Sequence, residues 1–299
     1  MNKRLIAIIG PTASGKSSLA VKLAHKLNGE VISADSRQVY KGMDIGTGKI
    51  TKEKMESIPH YLLDIISPKS RFDVVKYKKL ALKAINKIQK ENKLPILCGG
   101  TGLYIQAIID GIVIPEVKPD LVLRKKLEKL TTKELFKKLK KLDPKRAKAI
   151  DKNNRRRLIR SLEIIIKTKK PIPELKENPL PYPFLLIGIK KDKKELEKLI
   201  EKRFFEWLEL GFLKEVLNLK KELSWKRIEE FGIHYKTASQ YLQKEITEEE
   251  FIKKSLIELR NYSKRQMTWF KRDNRINWIK NYKETEKIIK IFKEKGRKS

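Results

Sequence analysis

Residues 10 to 17 read Gly10-Pro11-Thr12-Ala13-Ser14-Gly15-Lys16-Ser17 and fit the spacing G-x-x-x-x-G-K-[ST]. A loop of this kind must leave a buried strand and open a helix, so it restricts the fold more than any other stretch of the chain. The apolar run Leu5-Ile6-Ala7-Ile8-Ile9 supplies the strand. Behind the loop, Leu19, Val21, Leu23, Ala24 and Leu27 recur at helical spacing, and Asn28-Gly29 forms a stop. The glycines let several N–H groups and the helix N-terminus converge on one anion, Lys16 adds a point charge, and Ser17 offers a hydroxyl to a divalent cation. The stretch is therefore predicted to hold a di- or triphosphate. The loop alone leaves open whether that phosphate is transferred, hydrolysed or released.

The next segments predict a parallel sheet. Glu30 to Asp35 reads as a second buried strand ending in a carboxylate, and in a doubly wound sheet the loops after the strands line one crevice, so Asp35 should face the same space as Lys16. It serves there either as a base or as a strand stop. Residues 41 to 59 are glycine-rich and aperiodic, which predicts a mobile loop near the crevice mouth. His60 to Ile66 reads as a short strand with His60 structural, Phe72 to Gln89 as a helix, and Leu94 to Cys98 as a strand entering Gly99-Gly100-Thr101-Gly102. That second glycine turn is either another anion cradle, with Thr101 as a donor, or a plain turn. Residues 1–114 are thus the first part of a P-loop NTPase-like α/β core, a parallel sheet flanked by helices.

From 115 to 183 the alternation stops. Prolines at 115 and 119 open the segment and prolines at 171, 173, 179, 181 and 183 close it, around Lys-rich helical patterns such as Leu135-Phe136-Leu139-Leu142, so an all-helical insertion is expected. Arg156, Arg157 and Arg160 are spaced to share a helical side while Leu158, Ile159 and Leu162 pack on another, an arrangement suited to a phosphate-rich ligand. Phe184 to Ile189 returns as a strand, and residues 184–290 complete the core with C-terminal helices at about 193–222, 225–243 and 248–272. Arg203 lies on the first of these, within turning distance of the crevice. Lys264 to Arg272 mixes Lys and Arg with Trp269 and Phe270; the aromatics read as core in preference to base-stacking groups. Residues 291–299 are expected to be a disordered basic tail.

Charge narrows the partner. Lys plus Arg number 71 against 37 for Asp plus Glu, a formal charge of +34, which suits nucleic acid, although coding bias or a hot habitat also enriches Lys. The single cysteine, Cys98, excludes an internal disulfide and a cysteine-built zinc site. No signal peptide or membrane span is visible, and a soluble cytoplasmic protein is expected.

The wording of four stretches then resembles one family: the phosphate loop; Ser33-Ala34-Asp35-Ser36-Arg37-Gln38-Val39-Tyr40 with Gly42-Met43-Asp44-Ile45-Gly46-Thr47; Gly99-Gly100-Thr101-Gly102-Leu103-Tyr104; and Lys264-Arg265-Gln266-Met267-Thr268-Trp269-Phe270. In order and at family-like spacing they resemble the tRNA dimethylallyltransferases of bacterial type. The resemblance implies Mg²⁺-assisted transfer of a dimethylallyl group from dimethylallyl diphosphate to N6 of adenine 37 in tRNA, with pyrophosphate released. It implies a catalytic set of Asp35, Lys16, Thr101 and Arg203, a diphosphate or nucleotide (ATP) site over residues 10 to 17, and Mg²⁺ on Ser17. The implied tRNA contacts are Asp35, Ser36, Arg37, Gln38, Thr101, Arg124, the run Arg156, Arg157, Leu158, Ile159 and Arg160, and Arg265, in a monomeric enzyme. Two departures stand out: the family often has His-His at His60-Tyr61, and Gly-Tyr-Lys where this chain reads His234-Tyr235-Lys236. Outside the resemblance, a small-molecule kinase with Asp35 as base, or a non-catalytic RNA-binding P-loop protein, also accommodates the phosphate loop.

Overall fold

The computed structural model describes residues 3–113, 117–172 and 177–295. The chain forms two compact units: one runs to Gly111 and resumes at Pro179, and Ile112–Asn178 forms the other.

The first unit is an α/β layer structure. Its strands are β1 (Leu5–Ile9), β2 (Gly29–Ser33), β3 (His60–Tyr61), β4 (Leu94–Gly99), β5 (Phe184–Ile189) and β6 (Asn277–Ile279), in the order β3-β2-β4-β1-β5-β6 with every pairing parallel. Helices cover both faces, so β1 is buried throughout and reads as a continuous apolar run in place of an alternating one. The chain leaves β1 through α1 (Lys16–Leu27) and passes over β4 to reach β2. The loops after β1, β2 and β4 therefore emerge side by side at the carboxyl end of the sheet, where ligands bind in such folds.

The third strand is shorter than the expected 60 to 66. After Tyr61 the backbone turns left-handed at Leu62 and Asp64, φ 65° and 54°, and Ile66 makes only an isolated bridge to Tyr40. The remaining helices of the first part are α2 (Lys52–Met55), α3 (Val74–Lys90) and α4 (Gly102–Ile109).

The helical unit comprises α5 (Leu121–Leu127), α6 (Thr132–Leu142), α7 (Pro144–Ala149) and α8 (Arg155–Thr168), packed around Leu127, Leu135, Leu139, Leu158 and Leu162. Thr131 opens α6 with a capping box to Glu134, and Asp143 caps α7 by accepting the Arg146 N–H.

Beyond β5 the expected long helices are broken. The stretch 193–222 divides at Gly211, φ 92°, into α9 (Lys193–Glu209) and α10 (Phe212–Lys220). The stretch 225–243 divides at Gly232, φ 76°, into α11 (Trp225–Glu229) and α12 (Ile233–Leu242). The apolar spacing runs on across both glycines, so periodicity hides the breaks, whereas a glycine of positive φ stands between the two helices of each pair and precedes the second. Helix α13 (Glu248–Phe270) buries Phe270 in the core with Trp269 packed beside it. The expected tail is corrected in part: α14 (Tyr282–Lys295) carries residues 291–295 on as helix, with Ile288, Ile289 and Phe292 against the sheet's apolar cluster. Residues 296–299 lie outside the described residues, as do Pro115 and Pro173. Among the described residues no helix is long and apolar enough to cross a membrane.

Candidate active site

The loop after β1 curls as the glycine spacing requires. Ala13 and Gly15 are left-handed, φ 62° and 88°, and Gly15 hands the chain to α1, whose N-terminal N–H groups face the cavity. Lys16 Nζ donates to Pro11 O at 2.5 Å. Burial brings the Lys16 ammonium down to about 8; Cys98 and Asp35 pull it up, and Arg203 pushes it further down. Gln266 of α13 clips the loop in place, accepting from Thr12 N at 2.8 Å and donating to Gly100 O at 3.0 Å. The Ser14 hydroxyl is buried without a hydrogen-bond partner among the described residues.

Asp35 stands just past β2. Its Oδ1 accepts from the N–H groups of Arg37 (2.7 Å) and Gln38 (3.3 Å), a turn that fixes the carboxylate and leaves Oδ2 without a protein donor among the described residues. Thr101 Oγ1 accepts from Ser36 N at 3.1 Å, so it ties the loops after β2 and β4 together. The glycines of the second turn have a packing cause. A Cβ on Gly99 would lie 2.2 Å from Ala34 O, one on Gly100 2.1 Å from Gln266 Nε2, and one on Gly102 2.2 Å from Trp269. Gly99 and Gly100 also line the cavity.

Between these elements lies a cavity of about 130 Å³. Residues 12 to 18, Asp35, Arg37, Gln38, the turn Gly46-Thr47-Gly48, Arg203, Trp207, His234 and Tyr262 contribute to its wall. Arg203 reaches it from α9; burial lowers its pKa, Glu206 opposes that, and no carboxylate among the described residues lies within ion-pair distance of it. Lysine, arginine, a helix N-terminus and one carboxylate thus line one space, a layout for holding a diphosphate beside a proton acceptor. Ser17 lines the same wall, and among the described residues no cluster of three or more His, Cys, Asp or Glu is placed to hold a metal alone. A hard cation here would take the Ser17 hydroxyl and otherwise phosphate oxygens and water, which suits Mg²⁺.

The expected RNA contacts separate into three sets. Arg37, stacked 5.8 Å from the Phe231 ring, is at the cavity, and Gln38 lines it with its amide engaged, donating to Thr47 O and Gly48 O and accepting from Ser33 Oγ. Arg156, Arg157 and Arg265 are exposed. The third set is corrected: Leu158 and Ile159 are buried in the core of the helical unit, so their side chains make no surface contact. Arg124 and Arg160 both bond Glu163. Arg124 pairs through two bonds of 2.8 and 2.7 Å and Arg160 through one of 2.5 Å, while Arg160 also donates to Val117 O. Burial alone would raise the Glu163 carboxyl, but the hydrogen bonds from Arg124, Asp120 N and Arg160 outweigh it and bring it down to about 2.

Sequence reading missed Glu215, His234 and Tyr262, which shape the cavity from α10, α12 and α13. Only the His234-Tyr235-Lys236 departure gave a local signal for any of them. His60 remains structural, bonded through Nδ1 to Ile58 O.

The IPP transferase family model matches residues 38–273. The chain is 44% identical to a tRNA dimethylallyltransferase of Acetivibrio thermocellus over 97% of this chain and 96% of that protein. It is 41% identical to the Halothermothrix orenii protein of the same name over 97% and 94%. Among solved structures, the full-length tRNA isopentenylpyrophosphate transferase of Bacillus halodurans superposes with a TM-score of 0.72 at 39% identity, covering 97% of this chain and 94% of that one. A eukaryotic dimethylallyltransferase described as acting on tRNA gives 0.76 at 30% identity, over 90% and 70%.

Proposed function

The chain belongs to the IPP transferase family, and from that premise we propose that it transfers a dimethylallyl group from dimethylallyl diphosphate to N6 of adenine 37 in tRNA anticodon loops. The observation that carries this reading is the cavity that gathers residues 12 to 17, Arg203 and Asp35 around one small space. The C1–O bond of the allylic diphosphate breaks and pyrophosphate leaves. Its growing charge is met by the N–H groups of the phosphate loop, Lys16 and Arg203. The phosphate loop thus serves a leaving group and not a transferred phosphoryl.

The adenine amine forms the new N6–C1 bond and becomes acidic as it does so, so its proton passes to the free Oδ2 of Asp35. Thr101 joins the two loops that flank this carboxylate by accepting the Ser36 N–H. Mg²⁺ on Ser17 would neutralise diphosphate charge when bound. A base in a single-stranded loop unstacks at low cost and can enter such a cavity. Of the arginines expected to meet RNA, Arg37, Arg156, Arg157 and Arg265 are the exposed or cavity-facing ones available to its phosphates. In this reading the protein acts as a monomer, in the cytoplasm with its RNA.

The test incubates the protein with labelled dimethylallyl diphosphate, Mg²⁺ and an anticodon stem-loop carrying A36-A37-A38, beside one with guanine at 37. Label in the first RNA alone is the expected result. Label in neither, with ATP consumed when small acceptors are offered, would overturn the reading in favour of a kinase. Arg203→Ala should raise the KM for dimethylallyl diphosphate; unaltered kinetics would remove Arg203 from the diphosphate site.

A further inference from the structure

In the turn Asp44 to Gly48, Gly46, Thr47 and Gly48 line the cavity, yet the turn contains no regular secondary structure of its own. Two backbone bonds close it, Gly48 N–H to Ile45 O and Lys49 N–H to Asp44 O, both at 2.9 Å, and one side chain from outside holds three of its amides. Glu215, in the first turn of α10, is 9% exposed and has no cation within ion-pair distance among the described residues. Its Oε2 accepts the N–H groups of Asp44 and Ile45, each at 2.6 Å. Its Oε1 accepts Gly46 N–H at 3.1 Å and the Tyr235 hydroxyl at 2.8 Å.

Three successive amides are thus aimed at one buried carboxylate. Two further side chains grip the same turn by its carbonyls: His234 Nε2 donates to Gly46 O at 2.5 Å, and Gln38 Nε2 donates to Thr47 O and Gly48 O at 3.3 Å. The backbone so held packs on Arg203: a Cβ built on Gly48 would meet Trp207 at 3.3 Å and Arg203 Nη1 at 3.7 Å. Gln38 in turn follows Asp35 in the turn that orients the carboxylate. The wall therefore joins the Asp35 arm of the site to the Arg203 arm.

We propose that Glu215 is a positioning residue for the diphosphate half of the site: through the amides of Asp44, Ile45 and Gly46 it sets the wall that holds the Arg203 guanidinium opposite Lys16. The inference rests on the functional reading above. Its chemistry is specific to a carboxylate. Donors approach both oxygens, so the NH₂ of a glutamine would oppose the Asp44 and Ile45 N–H groups in one orientation and the Gly46 N–H in the other, where only the Tyr235 hydroxyl can turn to accept. Hydrogen bonds to a charged acceptor are among the stronger ones in a folded chain.

The test compares wild type with Glu215→Gln for binding of inorganic pyrophosphate with Mg²⁺ by calorimetry, for binding of the A37 stem-loop, and for KM of each substrate. The expected result is pyrophosphate affinity about tenfold weaker and KM for dimethylallyl diphosphate raised to match, with stem-loop binding within about twofold. Removing a negative charge near an anion site would by itself tighten pyrophosphate binding, so unchanged or tighter binding overturns the proposal. So does a loss shared equally by both ligands, which marks general destabilisation.

A measurement on wild type alone covers the case in which the variant does not fold. The amides of Asp44, Ile45 and Gly46 in the ligand-free protein should exchange about a hundredfold more slowly than an unstructured chain; exchange at the unstructured rate overturns the proposal. Pyrophosphate binding needs no prenyl transfer. A wild type that binds pyrophosphate but labels no RNA therefore removes the functional reading without touching the geometry of the wall.

Discussion

The α/β unit and the helical unit each bury a glutamate, and the two are answered by different partners. Glu215 meets three backbone amides and a tyrosine hydroxyl, whereas Glu163 meets two arginines and the N–H of Asp120. A carboxylate answered by neutral donors dictates the path of the backbone that bears them, and here that backbone is a wall of the cavity. A carboxylate answered by guanidinium groups decides which charges remain at the surface. Arg124 and Arg160 are drawn to Glu163, while Arg156 and Arg157 one turn away stay exposed. A run of basic residues therefore overstates the number of cations available to RNA, because some of them neutralise a buried acid.

If chemistry belongs to the α/β unit, the largest effect should be at Asp35. Asp35→Asn is expected to lower prenyl transfer about 10²- to 10⁴-fold, the usual contribution of a positioned base. Stem-loop binding, measured by filter retention, should persist. Equal loss of binding would move Asp35 from proton transfer to RNA recognition.

Next in size is Glu163→Ala, which leaves two arginines facing a buried site without a counter-charge and should cost about 3–5 kcal/mol. Denaturant unfolding and protease cleavage within 112–178 would read it. Intact resistance in that segment would mean that Arg124 and Arg160 find other partners, and the contrast between the two glutamates would weaken.

Acid titration should separate the units further. Burial brings the His234 imidazole down from 6.5 to about 4, with the bond to Gly46 O opposing. Its contribution to stability is therefore complete above pH 6.5 and lost as pH falls through about 4. Glu163 is lowered from 4.5 to about 2, so its contribution is complete above pH 4.5 and lost as pH falls through about 2. Unfolding followed against pH should show the α/β unit weakening first, and His234→Gln should remove the upper window while leaving the lower one.

The smallest effect expected is on RNA affinity. Arg156→Ala and Arg157→Ala should each reduce the slope of log affinity against log salt by about 1, without changing pyrophosphate binding. Arg124→Ala should leave that slope unaltered.

Much of this architecture is legible in the residues because it is local. The phosphate loop, the strand before it and the helix after it follow from glycine conformations, apolar spacing and one lysine within two dozen residues. The parallel sheet follows from apolar runs separated by helical periods, and the nearness of Asp35 to Lys16 follows from the handedness that brings successive loops to one edge. The breaks at Gly211 and Gly232 were not legible, because the apolar period continues through them and only packing shows that the direction changes.

The tertiary structure alone decided what surrounds that loop. Thr12 and Gln266 are 254 positions apart, and Ile45 and Glu215 are 170 apart. Hydrogen bonds across such separations leave no periodicity in the chain, since the donor is a backbone amide that every residue carries. The same holds for the arginines. Spacing placed Arg156 and Arg160 on one helical side, but whether each faces solvent or a buried carboxylate depends on where Glu163 lies once the helices have packed. Local chemistry thus determined which groups this protein holds, and packing determined which of them remain free to act.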